Sequence, residues 1–334
     1  MNVAEFAAAN LSRATGAGLD PHHYLRVTAA LSSLDDWPDG FVRAGEDYLA
    51  RAEAATSALT AADHYRAAAR WFHFACLLPH HDRDLATKAA ARSDAAMGRS
   101  LDLAEPGARR LQGSDFVGWL RGPADAAATV VIVPGMDSSK EEFHALSTAL
   151  LRRGVAVFAM DGPGQGVLAA TSTIRPDYHQ TIGRVIDALG VTCVGLAGMS
   201  LGGYYAAESA AHEPRVAATL TVSGPFRLTW DSLPPFVHDT LTQRAGGHAA
   251  ARDFAGRVDL SALAPRIAVP LLAVDGGQDL IPGVTNSREL ARLAPSGEHL
   301  LIDHGDHLLG NAQPDWLGPA ADWMITQLTQ STTT

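Results

Sequence analysis

The segment Gly198-Met199-Ser200-Leu201-Gly202 decides the fold of this chain. It follows a short apolar run at residues 191–197 and precedes an alanine-rich, helix-like stretch at residues 204–211. A G-x-S-x-G pattern between a strand and a helix predicts a sharp turn with the serine at its tip. Glycine suits the two outer positions because a Cβ there would collide with the neighbouring strand or helix. We therefore expect the Ser200 hydroxyl to be exposed at the carboxyl edge of a sheet.

Apolar runs alternate with helix-like segments on both sides of this turn. The other predicted strands are residues 115–120, 129–133, 155–159, 216–222, 267–274 and 298–302. The predicted helices are residues 138–153, where Ser138 and Glu141 have capping-box spacing, 178–189, 284–293 and 315–328. This alternation predicts an α/β fold with a doubly wound, mainly parallel sheet, whose active site lies at the carboxyl ends of the strands.

The amino-terminal third of the chain has a different pattern. Alanine and aromatic residues recur at helical spacing, for example Tyr65 and Phe72, with Trp71 beside them. We predict a helical amino-terminal domain over residues 1–105 and a catalytic domain over residues 106–330, with an insertion at about 225–265. The apolar face of the helices must be buried, so we expect them to cover the carboxyl edge of the sheet as a lid over the substrate.

A serine needs a base to remove its proton and an acid to orient that base. In this fold class, the acid and the histidine follow the serine in that order along the chain. Asp279, in the turn after the strand at 267–274, is the preferred acid, with Asp275 at the strand end as its rival. His307 is the preferred base because Gly305 turns the chain back over the sheet, and His304 is its rival.

Two backbone N–H groups are expected to form an oxyanion hole. One belongs to Leu201, the residue after the nucleophile. The other belongs to the turn that follows the strand at 129–133, where Met136 is the candidate. The donors are main-chain groups, so the side chains at these positions matter little.

Composition excludes several other classes of function. A formal net charge of −10 argues against nucleic acid or an anionic membrane as a partner. The remaining histidines, His80 and His81 among them, match no metal-ligand motif, and no nucleotide-binding loop occurs, so we expect no metal and no cofactor. Cys76 and Cys193 are expected to be reduced thiols, and residues 1–5 lack the features of a signal peptide, which favours the cytoplasm.

Three segments together resemble a known family. Residues 134–142, 161–166 and 198–203 are similar to those of the α/β-hydrolase superfamily, over roughly residues 107–330. They are closest to the subgroup with a helical amino-terminal domain that includes 2,6-dihydroxypseudooxynicotine hydrolase, fermentation-respiration-switch-type esterases and fungal hydrolases that shorten polyketide pigment precursors. The resemblance implies hydrolysis without a metal, either of a carbon–carbon bond next to a ketone or of an ester, in a pocket between the two domains. It also implies a further carboxylate after the strand that follows the serine, where Asp231 stands beside Trp230.

These observations predict a serine hydrolase that cleaves a carbon–carbon bond next to a ketone in a small or polyketide-like, partly aromatic metabolite. A carboxylesterase or lactonase acting on a small acyl ester is the alternative within the class. A non-hydrolytic ligand-binding, isomerase or cyclase member of the fold is the alternative outside it. The expected partner is a small-molecule substrate, and the oligomeric state, including a homodimer, stays open.

Overall fold

The computed structural model describes residues 2–79 and 82–331, apart from the side chain of Ser331. His80 and His81 lie outside the described residues, so the structure says nothing about them.

The larger domain is built on an eight-stranded sheet. The strands in the described residues are β1 Arg109–Gln112, β2 Val117–Arg121, β3 Thr129–Val133, β4 Ala156–Asp161, β5 Val194–Met199, β6 Val216–Val222, β7 Pro225–Leu228, β8 Leu271–Gly276, β9 Val284–Asn286 and β10 Gly297–Ile302. Eight of them form the sheet in the order β1-β2-β4-β3-β5-β6-β8-β10, and β7 pairs separately with β9. Six neighbouring strands run parallel to one another, in the order β4, β3, β5, β6, β8 and β10. At one edge of the sheet, β2 pairs antiparallel with β4, and β1 pairs antiparallel with β2. The predicted α/β fold with a mainly parallel sheet is confirmed.

Helices cover both faces of this sheet. The helices in the described residues are α1 Val3–Gly16, α2 Pro21–Ala29, α3 Trp37–Ala54, α4 Ala58–Phe74, α5 Arg83–Ala104, α6 His144–Leu151, α7 His179–Leu189, α8 Leu201–His212, α9 Pro235–Ala245, α10 His248–Arg257, α11 Arg288–Leu293 and α12 Gln313–Ser331. Side chains of α7, α8 and α11 share one core with the sheet. Those of α6 and α12 share the core on the opposite face. Because the parallel strands are covered on both sides, they consist of nearly continuous apolar runs.

Most predicted strands begin and end within a few residues of the observed ones, and β3 and β6 have the predicted bounds. Two helix predictions are wrong. Residues 138–142 form an irregular turn rather than the start of a helix, because their polar side chains are buried in ionic contacts and α6 begins only at His144. The predicted helix at 284–293 is the short strand β9 followed by α11, since β9 pairs with β7 of the insertion.

The helical unit carries its own apolar core. The rings of Trp37 and Phe41 stack with centroids 4.2 Å apart, and Trp71 packs against them. Phe72 belongs to a smaller cluster with Trp119 of β2. The aromatic stripe therefore packs mainly among the helices, whereas we expected it to face the sheet. The boundary at residue 105 remains a prediction, although α5 ends at Ala104 and β1 begins at Arg109.

None of the described helices combines the length and the apolar character that crossing a bilayer requires.

Candidate active site

The turn between β5 and α8 holds Ser200 in a strained conformation. Its backbone has φ 52° and ψ −126°, a region that residues other than glycine rarely adopt. A Cβ at Gly198 would lie 2.1 Å from the carbonyl oxygen of Gly202, and one at Gly202 would lie 2.2 Å from that of Val133. The turn therefore requires glycine at both positions, as the sequence pattern predicts.

Three turns at the carboxyl edge of the sheet bring Ser200, His307 and Asp279 together. Ser200 follows β5, Asp279 follows β8 and His307 follows β10. The Nε2 atom of His307 lies 3.0 Å from Ser200 Oγ. Its Nδ1 atom lies 3.0 Å from both carboxylate oxygens of Asp279. This is the geometry of a nucleophile, a base and an orienting acid.

The two rival residues have other partners. Asp275 is buried at the end of β8 and binds His299, with 3.0 Å between the carboxylate and Nε2. His304 is exposed and pairs with Asp315 at 3.2 Å. Neither contacts Ser200, so the geometry favours Asp279 and His307.

The loop that carries His307 is held by a second strained serine. Leu308 and Leu309, directly after the histidine, have positive φ angles of 65° and 50°. The N–H of Leu308 donates to the hydroxyl of Ser223, 2.9 Å away, and Ser223 itself has φ 53°. Ser223 follows β6, so this bond connects the histidine loop to the end of β6, which lies next to β5 in the sheet. The sequence offered no signal for this contact.

The expected oxyanion donors lie beside the nucleophile. Leu201 is the first residue of α8, where a backbone N–H has no acceptor within the helix. Met136 lies in the turn after β3, and a Cβ at the adjacent Gly135 would lie 3.0 Å from Ser200 Cβ. The side-chain amide of Gln165 donates to the carbonyl oxygens of Pro134 and Gly135. The glycine-rich turn at residues 161–166 thus supports the turn at residues 134–137, which carries the expected donor Met136 and is called the oxyanion turn below.

A cavity of about 340 Å³ opens above Ser200 and His307. The insertion supplies much of its apolar wall through Pro225, Leu228, Pro234, Phe236, Val237 and Leu241. Helix α1 adds Ala9, Asn10 and Arg13, so the helical unit forms part of the wall. An apolar cavity with a few polar groups at its base is typical of a site for a small organic molecule.

The structure does not place Asp231 and Trp230 in this cavity. The Asp231 side chain is 79% exposed and lies 3.7 Å from Arg252. Trp230 is buried, with its ring against that of His238 at 4.1 Å between centroids. The expectation that they contact substrate is therefore corrected, because the short helical turn at 230–232 directs the carboxylate to solvent and packs the indole ring inward.

Arg13 of α1 is a site residue that sequence reasoning missed. Its guanidinium donates to both carboxylate oxygens of Glu142, at 2.6 and 2.9 Å. It also donates to Asp137 at 3.0 Å and to the hydroxyl of Ser138 at 3.1 Å. Asp137 is the residue after Met136, so one helix of the amino-terminal unit binds the oxyanion turn directly. The sequence around Arg13 did not indicate this contact, because Asp137 lies more than 120 residues away along the chain.

Burial and pairing shift the pKa values of this network. Burial alone would lower the pKa of Arg13, but Asp137 and Glu142 raise it above its usual value. Burial opposes ionisation of Glu142, yet Arg13 and His73 hold its pKa well below the usual range. Both groups are therefore charged at neutral pH. A buried pair of this kind loses much stability when one partner is removed.

Comparison with known proteins agrees with this fold. A family model described as Hydrolase_4, serine aminopeptidase, S33, matches residues 124–250. The chain is 32% identical over 219 residues to 2,6-dihydropseudooxynicotine hydrolase of Paenarthrobacter nicotinovorans, covering 60% of this chain and 57% of that protein. It is 35% identical over 140 residues to the hydrolyase ccsE of Aspergillus clavatus, covering 36% of this chain and 32% of that protein. In sequence, the chain thus matches less than two thirds of the length of these relatives.

The structural match is more extensive. The crystal structure of the 2,6-dihydroxy-pseudo-oxynicotine hydrolase superposes with a TM-score of 0.83 and 25% identity, covering 96% of both chains. The match therefore includes the helical unit as well as the sheet domain. The chain therefore has the α/β-hydrolase fold, and all of these relatives carry the name of a hydrolase or hydrolyase.

Proposed function

We propose that this chain is a serine hydrolase whose catalysis requires no metal, with Ser200, His307 and Asp279 as the catalytic triad. The observation that carries the proposal is the 3.0 Å distance between His307 Nε2 and Ser200 Oγ, with Asp279 on the other ring nitrogen. His307 takes the hydroxyl proton as Ser200 Oγ attacks a substrate carbonyl carbon. The N–H groups of Leu201 and Met136 stabilise the negative oxygen of the tetrahedral intermediate.

We propose further that the scissile bond joins this carbonyl carbon to a carbon atom. When the intermediate collapses, that bond breaks and its electron pair leaves on the departing carbon. The proton that His307 took from Ser200 passes to this carbon, so His307 is neutral again. Water then attacks the acyl-enzyme, gives one proton to His307, and releases a carboxylic acid and free Ser200. The relation to 2,6-dihydropseudooxynicotine hydrolase supports this choice. We place the reaction in the cytoplasm, on a small, partly aromatic ketone that fits the apolar cavity.

Carbon–carbon cleavage calls for more proton assistance than ester cleavage, because a carbanion is a poorer leaving group than an alkoxide. The position of Asp231 does not support such a role. Among the described residues that line the cavity, the carboxylates are Asp137 and Asp306. Asp137 is bound by Arg13, whereas Asp306 Oδ1 is buried and has no hydrogen-bond partner among the described residues. We therefore propose that Asp306 relays the proton from His307 to the departing carbon, which leaves its own charge unchanged at the end of the step.

Two experiments test these proposals. A fluorophosphonate probe should label Ser200 in the native chain and label His307→Ala far more slowly. An inert serine would support a non-hydrolytic member of the fold. Asp306→Asn should slow ketone cleavage by about 10²-fold while affecting hydrolysis of a nitrophenyl ester much less, since nitrophenolate needs no proton.

Asp231→Asn is the matched control, because it makes the same change on an exposed carboxylate outside the cavity. It should leave both reactions within about twofold, as usual for a surface substitution. Equal losses on both substrates in Asp306→Asn would assign that residue a structural role. Activity on esters alone, with no ketone cleaved, would identify the chain as a carboxylesterase.

A further inference from the structure

A second cluster of chemically capable side chains lies on the seam between α7 and α8. His179 begins α7, and Glu208 and His212 are one turn apart on α8. The Nδ1 atom of His179 lies 2.5 Å from Glu208 Oε1, and that of His212 lies 3.3 Å from the same oxygen. One ligand atom from each residue can be chosen so that all three lie within 4.8 Å of one another. The triad includes none of these residues.

The carboxylate at the centre of this cluster has no arginine or lysine partner among the described residues. The Glu208 side chain is only 4% exposed, and this burial raises its pKa. In the part of the chain that the structure describes, its ion pairs involve only the two imidazoles. The nearby Arg175 is already paired with Asp177 at 2.7 Å. The cluster thus contains a buried carboxylate whose charge a bound cation would compensate.

The donor set suits a transition-metal ion. Two imidazole nitrogens and one carboxylate oxygen, with a fourth position open, match the ligands that Zn²⁺ accepts in tetrahedral sites. Mg²⁺ and Ca²⁺ require more oxygen ligands than the cluster offers. Ligands at about 2.1 Å from a tetrahedral metal lie roughly 3.4 Å apart. The His212 Nδ1–Glu208 Oε1 separation of 3.3 Å matches this spacing, although this nitrogen must first release its 2.9 Å hydrogen bond to the backbone carbonyl oxygen of Glu208. The shorter His179–Glu208 contact would open as the metal replaces its proton.

Neighbouring groups orient the three ligands, and the cluster is accessible to an ion from solvent. Glu208 Oε2 accepts the backbone N–H of His179 at 2.8 Å, which orients the carboxylate and leaves Oε1 for a ligand. Beside the cluster, Tyr178 of the α7 cap stacks on Tyr205 of α8, with ring centroids 4.1 Å apart. Both histidine side chains are 29% exposed, so an ion can enter from solvent.

We propose that His179, Glu208 and His212 bind one divalent transition-metal ion, with Zn²⁺ preferred, which links α7 to α8. The site is structural, because the ion sits at the end of α8 remote from Ser200, and hydrolysis does not depend on it. The sequence showed only a glutamate and a histidine four residues apart. The third ligand, 29 residues from Glu208, joins them through helix packing alone.

The test is a Zn²⁺ titration of the chelator-treated full chain by calorimetry. Binding of one equivalent is expected, together with a visible absorption spectrum of tetrahedral Co²⁺ when Co²⁺ replaces Zn²⁺. Zn²⁺ at 100 times its dissociation constant should raise the unfolding midpoint by about 5 °C, and Mg²⁺ should not. His212→Ala and His179→Ala should each weaken binding by at least about tenfold.

Two controls separate this site from other histidines. His304→Ala removes an exposed imidazole that also pairs with a carboxylate, and it should bind Zn²⁺ as the native chain does. His307→Ala should also bind normally, which excludes the triad as the metal site. Glu208→Gln provides a variant of the same shape if an alanine variant fails to fold. The proposal is overturned if no saturable binding occurs, or if His212→Ala and His304→Ala bind equally.

Discussion

The sheet domain and the helical unit build the active site in different ways. The sheet domain contributes Ser200, Asp279 and His307 from turns that directly follow β5, β8 and β10. The helical unit has a separate apolar core and reaches the oxyanion turn through Arg13, a side chain of α1. The first contribution is determined by local turns along a regular sheet. The second depends on how two separately packed cores are joined, and at the turn that carries Met136 the contact is ionic.

This difference predicts a graded response to mutation. Loss of a triad residue removes the chemistry itself. Loss of Arg13 leaves the chemical groups in place but releases the turn that positions one oxyanion donor. Loss of Glu142 weakens the ionic contact between the two regions and should mainly lower the free energy of unfolding.

The largest effect is expected for Ser200→Ala, which removes the nucleophile. Turnover should fall by about 10⁴- to 10⁶-fold, and His307→Ala should match it, because the two groups act as a unit. Steady-state kinetics on a nitrophenyl ester, with circular dichroism to verify the fold, measures this. Retention of a tenth of the native activity would rule out the assigned role of Ser200.

Asp279→Asn should be the next most damaging change. It leaves the base in place but misorients it, so the loss should be about 10 to 100 times smaller than that of Ser200→Ala. Asp275→Asn is the matched comparison on the neighbouring turn, because Asp275 binds His299 instead. If Asp275→Asn were the more damaging variant in the same kinetic assay, the acid would have been assigned incorrectly.

Arg13→Ala should lower kcat by about 10²-fold, the lower end of the effect of losing an oxyanion donor, while KM changes little. The affinity for a trifluoromethyl ketone, which forms a tetrahedral adduct with the serine, should fall in parallel. Arg13→Lys should restore part of both. Arg26→Ala, on the exposed face of α2, serves as the control. A purely structural role would instead lower the unfolding midpoint and leave kcat of the folded fraction unchanged.

The smallest effect on activity is expected from protonation of Glu142 at low pH, which breaks its ion pair with Arg13. Because its pKa is depressed in the folded chain, Glu142 stabilises the fold above the ordinary glutamate pKa of about 4.3, and this stabilisation is lost as pH falls below it. Glu142→Gln should cost about 3 kcal/mol at pH 7 and flatten the acid side of the stability profile.

Thermal unfolding between pH 3 and 7 measures this profile. Glu46→Gln breaks an exposed pair with Arg92 and should change the midpoint little. The same pH dependence in the native chain and in Glu142→Gln would show that another group is responsible.

Much of the candidate active site could be predicted from the sequence because it depends on short-range rules. A strand that ends in G-x-S-x-G can make only a few turns, and Gly198 and Gly202 leave no room for a side chain. The chain order of serine, acid and histidine then led to Asp279 and His307. The same local reasoning failed at Ser138, where capping-box spacing predicted a helix. There the buried pairing of Lys140 with Glu141 and Asp161 prevails over helix propensity.

The sequence alone thus determined the class of fold, the nucleophile turn and the residues that follow the strand ends, since these depend on backbone geometry within a few residues. Only the tertiary structure decided that Arg13 binds the oxyanion turn, that Asp306 rather than Asp231 faces the cavity, and that His179 joins Glu208 and His212. These contacts link segments far apart in the chain. Their formation depends on how packed helices and sheets are oriented, and no local pattern of residues encodes that orientation.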